Sequence, residues 1–435
     1  MENAPQTILI RGRVLDFRAD PRTDADAARF AQDGAVLIRE GIILAAGDYA
    51  DVTADPASAG ATLIDHRPHL ILPGFIDPHL HFPQVQVIAS WAAELLDWLN
   101  DYTFPAEAQY ADRQHADAMA GPLLDTLLAN GTTTASAFCS VHAASVDALM
   151  TAAQARGMAM IAGKVMMDRN APDTVLDTAQ SSYDDSRGLI DRWHGVDRLR
   201  YAITPRFAIT STPDQLAAAG TLARENPGMH IQTHLNENHA EIALTGQLYP
   251  DAIDYLDVYD RVGLLGPSTL MGHAIHMDAR QTARMAETGT RAIHCPTSNL
   301  FLGSGLFDEG ALRSAGIVTG IATDIGGGTS YSMLQTLAEG YKIAQMRGAR
   351  LTSRDLIHWA TRGNALALGM ADRIGTLDAG SDADLVVLNA RATPAMALRA
   401  DRITTLDEEL FLLTTMGDDR AVVQTYVAGR AMKPA

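Results

Sequence analysis

The chain has 435 residues, of which 47% are hydrophobic, and a formal net charge of -18 at neutral pH. This length suits either one large barrel with attachments or two or more smaller domains. The acidic excess disfavours a nucleic-acid polymer as partner, because phosphate backbones reward Lys and Arg, whereas a neutral base stays compatible with it. No apolar run is long enough to span a membrane, and residues 1–4 do not begin a signal peptide. We therefore expect a soluble, cytoplasmic protein.

The chain has two cysteines, Cys139 and Cys295. Two cysteines exclude a disulfide framework and a Cys-rich zinc module. We expect both thiols to be reduced and buried, with a single buried disulfide as the alternative.

Both ends of the chain have the pattern of short strands. Residues 8–70 contain apolar runs separated by Gly and Asp turn signals, and similar runs return near the C-terminus in ADLVVLN and AVVQTYVAGRAM. These ends are expected to pair into one small β domain formed by residues 1–70 and 375–435.

The middle of the chain, residues 71–374, alternates short apolar runs with helical stretches such as 112–129 and 276–288. Eight predicted strands share this pattern: 69–76, 131–138, 157–163, 200–205, 229–234, 268–273, 290–294 and 317–323. A strand followed by a helix, repeated about eight times, favours a (β/α)8 barrel. The alternative is an open doubly wound sheet, but no G-x-G-x-x-G follows an early strand, so a dinucleotide site has no support.

Polar side chains that can bind metals follow strand after strand of this predicted barrel. They are His79, His81, His234, His273, His294 and Asp324. Catalytic groups of such barrels lie at the carboxyl ends of the strands. Each residue alone has an ordinary explanation, a hydrogen-bonded core histidine or an Asp that caps a helix, and only their conjunction favours a site.

The spacing of His79 and His81 has a physical reason. Side chains of a strand alternate between its two faces, so these imidazoles point the same way and can reach one ion. Together with His234 and Asp324 they suit zinc, nickel, copper or iron(II), and they leave a position for water, which is typical of a catalytic metal. Such a metal lowers the pKa of bound water to about 7, so a hydrolytic reaction is predicted.

Two further residues are candidates for moving protons. Glu237 follows His234 by three residues, and His273 ends the sixth predicted strand. Glu237 could carry a proton, and His273 could orient the hydroxide or shuttle a proton. The structural alternatives are a first-turn helix residue facing water for Glu237 and a core histidine for His273.

Several motifs resemble the amidohydrolase superfamily, deaminase branch. They are PGFIDPHLHFPQ at 73–84, THLNE, GHA, HCPTSN, ATDIGGG and GSDADLVVLN, and the resemblance extends from residue 10 to the end. The narrower motifs HFPQ at 81–84, WLNDYTFPAE at 98–107 and TPRF at 204–207 look like those of the guanine deaminase group. Pro78 departs from the Thr that members often have there.

The resemblance implies a (β/α)8 barrel with a small β-sandwich made from both termini, and a homodimer. It also implies one zinc per subunit, held by His79, His81, His234 and Asp324, with iron(II) as an alternative for the same ligands. Members with two metals place a bridging carboxylated lysine after the fourth strand. Here that strand ends in Thr-Pro-Arg at 204–206, which favours a single metal.

The implied reaction is hydrolysis of guanine to xanthine and ammonia, a step of purine catabolism. In this scheme Glu237 protonates ring nitrogen 3. Asp324 takes a proton from the attacking hydroxide and passes it to the leaving amine, while His273 holds the attacking oxygen.

The resemblance also implies residues that bind the base. Arg206 suits the oxygen on carbon 6 or nitrogen 7, Gln84 suits the amine and its neighbouring nitrogen, and Phe207 stacks on the ring. Trp98 and Phe104 are candidates for closing over the site. The alternatives are a structural ion pair for Arg206, a loop residue for Gln84, a core residue for Phe207, and loop packing for the last two.

Two other functions stay open at this point. Related enzymes deaminate 8-oxoguanine, triazines or adenosine-type nucleosides on the same scaffold, although Gln84 and Arg206 favour a free guanine-like base. From another class, some barrel homologues have lost the metal and serve as assembly proteins. The intact metal ligands and Glu237 disfavour that alternative.

Overall fold

The computed structural model describes residues 7–91 and 95–433 of the chain. The predicted boundaries of the terminal β domain include residues 1–6 and 434–435, which lie outside the described residues. The strands, in chain order, are β1 (Thr7–Phe17), β2 (Ala28–Arg39), β3 (Ile42–Asp48), β4 (Thr62–Pro73), β5 (Phe75–His81), β6 (Thr132–Phe138), β7 (Ala159–Gly163), β8 (Val165–Met166), β9 (Leu199–Pro205), β10 (His230–Leu235), β11 (Thr269–His273), β12 (Arg291–His294), β13 (Thr319–Ile321), β14 (Leu385–Leu388), β15 (Val422–Val427) and β16 (Arg430–Ala431).

Most helices lie between the strands of the middle region. They are α1 (Tyr49–Ala54), α2 (Leu95–Trp98), α3 (Phe104–Ala108), α4 (Arg113–Ala129), α5 (Ala143–Arg156), α6 (Ala179–Trp193), α7 (Pro213–Glu225), α8 (His239–Leu248), α9 (Tyr255–Asp260), α10 (Ala279–Thr288), α11 (Pro296–Phe301), α12 (Glu309–Ser314), α13 (Met333–Met346), α14 (Ser353–His358), α15 (Asn364–Ala367), α16 (Pro394–Ala400) and α17 (Leu406–Met416). Short 3-10 or π-helical turns occupy Pro56–Ser58, Phe82–Gln84, Leu99–Thr103, Gln109–Ala111, Asp173–Val175, Ala208–Thr210, Trp359–Gly363 and Asp419–Ala421. None of the helices in the described part of the chain is long and apolar enough to cross a bilayer.

Eight parallel strands form the barrel, in the order β5-β6-β7-β9-β10-β11-β12-β13, and the short β8 pairs with β9. The first and last strands meet through hydrogen bonds around the metal-capable residues. The Asp324 amide donates to the His79 carbonyl at 2.9 Å, and the Thr323 amide donates to the Asp77 carboxylate at 3.1 Å. The predicted (β/α)8 barrel is confirmed.

The strands of the two chain ends form one separate seven-stranded sheet, in the order β16-β15-β14-β4-β1-β2-β3. Its β14 pairs antiparallel with β4, which joins the C-terminal segment to the N-terminal one. Ile10, Val36, Ile71, Leu385 and Val387 belong to one buried apolar cluster of this sheet. The predicted domain formed by both termini therefore has its own core, while its predicted boundaries stay a prediction.

The first predicted barrel strand, 69–76, is wrong in its bounds. Pro73 ends β4 in the terminal sheet, and Phe75 begins β5 in the barrel. Gly74 separates them, and a Cβ atom there would lie 2.2 Å from the Thr133 hydroxyl oxygen. The sequence 69–76 resembles a single strand because the residues on both sides of Gly74 are buried. The two parts differ only in the sheet with which they pair. His79 and His81 consequently lie within β5 rather than after a strand.

The other predicted elements lie close to the observed ones. The stretch 112–129 corresponds to α4 and 276–288 to α10. Helix α10 begins later than predicted because the Asp278 side chain accepts from the Gln281 amide at 2.8 Å and caps the helix there. Cys139 and Cys295 are free and buried, as expected.

Candidate active site

The four predicted metal ligands lie together at the carboxyl end of the barrel. His79 and His81 lie two residues apart in β5 with ring centroids 5.3 Å apart, and His234 lies in β10. The Nε2 atoms of His81 and His234 are 3.1 Å apart. Asp324 follows β13, and its Oδ1 atom lies 3.3 Å from His79 Nε2 and 3.4 Å from His81 Nε2. Four donor atoms therefore converge on one point.

This donor set fits a metal ion. Ligand atoms of His79, His81 and His234 all lie within 4.8 Å of one another. Within the described residues the buried Nε2 of His79 has no hydrogen-bond partner, which is uncommon unless an ion or ligand satisfies the atom. Burial lowers the pKa of all three imidazoles, so they stay neutral, the form that binds metals.

Neighbouring groups orient these ligands. His234 Nδ1 donates to the Arg206 carbonyl at 2.7 Å, which turns Nε2 toward the other ligands. Burial acts to raise the pKa of Asp324, but His79 and His273 hold it below its usual range, so the carboxylate is ionised. Asp324 and His273 have φ angles of 52° and 70°, a left-handed backbone that non-glycine residues adopt at a cost and that clusters at functional sites.

A second group of metal-capable residues overlaps the first and includes Cys295 with His79, His273 and Asp324. Burial raises the pKa of the Cys295 thiol well above its ordinary value, which disfavours the thiolate that a metal needs. The three histidines with Asp324 are therefore the better ligand set. His294, the last residue of β12, stacks on Phe307 at 4.5 Å and does not join this set.

Glu237 and His273 form a pair beside the ligands. His273 Nε2 lies 3.3 Å from Glu237 Oε2 and 3.7 Å from Asp324 Oδ2. Asn299 Oδ1 lies 2.9 Å from His273 Nδ1, and the Ser304 hydroxyl donates to Glu237 at 2.9 Å. Glu237 is 4% exposed and precedes α8, so the alternative of a water-facing helix residue is wrong.

The environment of this pair suits proton transfer. Burial raises the pKa of Glu237 to about 7, although His273 opposes the shift. Burial lowers the pKa of His273, but the Glu237 and Asp324 carboxylates outweigh it and place the pKa above its ordinary value. At neutral pH Glu237 therefore holds a proton in a large fraction of molecules and can donate it.

One cavity joins these groups to the predicted substrate contacts Gln84, Trp98, Arg206 and Phe207. It is lined by His81, Gln84, Leu95, Trp98, Leu99, Arg206, Phe207, His234, Glu237, His273, Ser298, Leu302, Asp324 and Gly327. Its lining combines apolar and aromatic side chains, such as Leu95, Trp98 and Phe207, with polar groups. This mixture is typical of a site for a flat, polar small molecule.

The model of the amidohydrolase family matches residues 70–432. The chain belongs to the amidohydrolase family. The predicted membership is thereby confirmed, and it agrees with the barrel and the His/Asp cluster.

Known amidohydrolases resemble the chain over nearly its full length. It is 46% identical to the guanine deaminase of Escherichia coli (strain K12) over 97% of this chain and 96% of that protein. A solved structure of E. coli guanine deaminase superposes with a TM-score of 0.95 at 45% identity, covering 98% of this chain and 99% of the other. Guanine deaminase from C. acetobutylicum, solved with guanine bound in its active site, gives a TM-score of 0.88 at 28% identity over 98% and 100% of the two chains.

Three polar residues of this amidohydrolase site were not predicted from the sequence. Glu107 accepts hydrogen bonds from Gln84 and Arg206, and Asn299 and Ser304 contact His273 and Glu237. Glu107 ends the motif WLNDYTFPAE, where a carboxylate among apolar residues was the available signal. Asn299 ends the motif HCPTSN, but its partner His273 lies 26 residues away, and Ser304 lies 67 residues from Glu237.

We expect Gly272→Ala to weaken metal binding. A Cβ atom at Gly272 would lie 2.6 Å from His79 Cε1, so the imidazole would have to move from its place among the ligands. Metal content after dialysis should fall severalfold while circular dichroism shows a folded protein. The control is Gly246→Ala in α8, where a Cβ atom meets nothing within 4 Å. Full metal retention in Gly272→Ala would contradict the tight placement of His79.

Proposed function

We propose that this amidohydrolase hydrolyses guanine to xanthine and ammonia and uses one zinc ion per chain. The observation that carries the proposal is the shared cavity, in which Gln84, Arg206 and Phe207 line the same space as Glu237 and three of the four predicted metal ligands, namely His81, His234 and Asp324. The likeness to guanine deaminases over nearly the whole chain supports the same substrate.

The cavity suits recognition of the base. Arg206 presents only donors, so it matches the oxygen on carbon 6 and nitrogen 7, which only accept. Gln84 presents an acceptor and a donor for the amine edge. Phe207 lines the cavity with its ring centroid 6.2 Å from that of His234, and we assign it to stacking on the purine.

The residues of the site divide the chemistry among themselves. When bound by His79, His81, His234 and Asp324, zinc would act as a Lewis acid that activates water at neutral pH. Glu237 donates a proton to ring nitrogen 3 as water attacks carbon 2, and it recovers a proton from the carbon-2 hydroxyl group as the carbonyl of xanthine forms. Asp324 receives a proton from the attacking water and delivers it to the leaving amine. His273 holds the attacking oxygen, and ammonia and xanthine leave the site.

Related substrates and metals define the alternatives to this proposal. The ligand set also suits iron(II). Within the same scaffold, 8-oxoguanine or a triazine could occupy the cavity. A homodimer and a cytoplasmic location stay predictions.

The decisive test is a screen for ammonia release from guanine, 8-oxoguanine, cytosine, adenosine and ammeline, combined with metal analysis of the purified protein. Guanine should give the highest kcat/KM, and the purified protein should contain about one zinc ion per chain. Preference for another compound would overturn the substrate assignment. A metal-free protein that releases no ammonia would instead favour the alternative of a non-enzymatic assembly protein.

We expect Arg206→Ala to raise the KM for guanine by about 10- to 100-fold, because a charged, buried donor to the base is lost. The measurement is steady-state kinetics with guanine. Arg198→Ala is the matched control, since Arg198 pairs with Asp384 at 3.0 Å away from the cavity. The control should lower stability but not change the KM. A normal KM in Arg206→Ala would remove Arg206 from recognition.

A further inference from the structure

A buried carboxylate that has no role in the reaction scheme holds both polar recognition residues. Glu107 lies in α3, and its side chain is 1% exposed. Its Oε1 atom accepts from Gln84 Nε2 at 2.9 Å. Both of its oxygens accept from Arg206 Nη1 at 2.7 Å. One residue therefore contacts the two side chains proposed to read the base.

The pairing fixes how Arg206 is presented. Among the described residues, Nη1 makes every hydrogen bond of the Arg206 side chain. The other two guanidinium nitrogens have no such partner and are not fully buried. The remaining N–H groups thus have access to the cavity, which Arg206 lines. The guanidinium also packs over Phe104 at 5.5 Å. A guanidinium is a rigid planar fork, so anchoring one nitrogen fixes the direction of the others.

The same carboxylate fixes the orientation of the Gln84 amide. A carboxylate only accepts hydrogen bonds, so the amide must turn Nε2 toward Glu107. On its other side, Gln84 Oε1 accepts from the Gly326 amide at 3.2 Å. Each end of the amide therefore has one partner in the protein. One N–H and one oxygen lone pair of Gln84 remain free for a ligand. Their directions are fixed, because a flip of the amide would break both hydrogen bonds to the protein.

Glu107 also neutralises the charge of Arg206 within the cavity wall. An unpaired guanidinium that is 3% exposed would be costly to bury, and it would favour an anionic ligand. Paired with Glu107, it presents its donors to a neutral base from an ion pair of zero net charge. The combination suits a purine with an oxygen on carbon 6 and opposes one with an amino group there, because two donors would face each other.

We propose that Glu107 is a positioning residue that sets base specificity by holding Arg206 and Gln84 in fixed directions; this inference rests on the proposed function. It does not touch the reacting atoms. Its effect should therefore appear in substrate binding and in the choice between bases rather than in the chemical steps that Glu237 and Asp324 perform.

The test is Glu107→Gln, measured with guanine and with 2,6-diaminopurine, which keeps the amine on carbon 2 but carries an amino group on carbon 6. The new amide offers one acceptor oxygen in place of two and adds donors that oppose Arg206 or Gln84. The KM for guanine should rise about 10- to 100-fold with kcat changed less than about threefold. The preference for guanine over 2,6-diaminopurine should fall by at least about tenfold. Metal content should stay that of the wild type.

A double-mutant cycle separates positioning from a general structural role. Because Glu107 acts partly through Arg206, the KM of the Glu107→Gln/Arg206→Ala protein should rise by clearly less than the product of the two single increases, and what remains beyond Arg206→Ala alone reports the part that acts through Gln84. Effects that multiply, an unchanged KM, or a loss confined to kcat would overturn the proposal. Asp177→Asn is the matched control, since Asp177 is a half-buried carboxylate that accepts from Gln215 at 2.7 Å and pairs with the buried Lys164 outside the cavity. It should lower stability and leave both KM and base preference unchanged.

A second variant and a binding measurement distinguish failure of this inference from failure of the proposed function. If Glu107→Gln does not fold, Glu107→Asp keeps the charge but shortens the reach, and it should raise the KM severalfold; a wild-type KM there would overturn the positioning role. If the wild type releases no ammonia from guanine, the proposed function fails. Equilibrium binding of guanine to wild type and variant then still tests Glu107, because positioning predicts weaker binding in the variant.

Discussion

Replacing Glu237 by Gln should reduce kcat for guanine by about 10²- to 10⁴-fold while metal stays bound, because a positioned proton donor contributes about that much to rate. The amide keeps the size of the side chain and its contact with Ser304, which lies 2.9 Å away, but it cannot donate and recover a proton. Glu237 does not belong to the cluster of ligand atoms, so metal content should not change. Single-turnover kinetics with metal analysis would measure both quantities.

The control for this variant is Glu287→Gln on α10. Glu287 is exposed and pairs only with Arg284 at 3.2 Å within the described residues, so its replacement should leave kcat unchanged. Wild-type turnover in Glu237→Gln would remove Glu237 from catalysis. Loss of metal in that variant would assign it to the ligand set instead.

Replacing His79 by Ala should abolish both metal binding and turnover. His79 Nε2 is a buried nitrogen without a hydrogen-bond partner among the described residues, and it lies 3.3 Å from the Asp324 carboxylate. Without this imidazole only three of the four donors remain, and the methyl group of alanine offers the metal no ligand atom. Metal content by mass spectrometry should fall from near-equal amounts to background, and ammonia release should fall with it.

Metal replacement distinguishes this loss from misfolding. Wild-type protein stripped by a chelator should regain activity when zinc is added, and its thermal unfolding temperature should rise, because an ion that binds only the native state stabilises it. His79→Ala should show neither response. His66→Ala is the control, since His66 lies in the terminal sheet 2.7 Å from the Tyr426 hydroxyl. Zinc-dependent stabilisation of His79→Ala would contradict the assignment of His79 as a ligand.

Much of the barrel could be predicted from the sequence because strand and helix periodicity are local properties. Strands such as β6 and β10 are short, buried runs bounded by turn residues, and the positions that follow them are recognisable by residue type. The failure at β4 and β5 has the same origin. A continuous buried run does not reveal that its two halves pair with different sheets, because that choice depends on partners elsewhere in the chain.

What the sequence by itself determined is the type and spacing of the chemical groups. His79 and His81 face one way because strand side chains alternate, and histidine and aspartate suit metals because of their donor atoms. Only the tertiary structure decided which groups meet. Glu107 holds Arg206, 99 residues away, and Asp77 accepts from the Thr323 amide, 246 residues away. Such pairs form because a buried polar group must find a partner somewhere in the folded chain, and no local pattern specifies where.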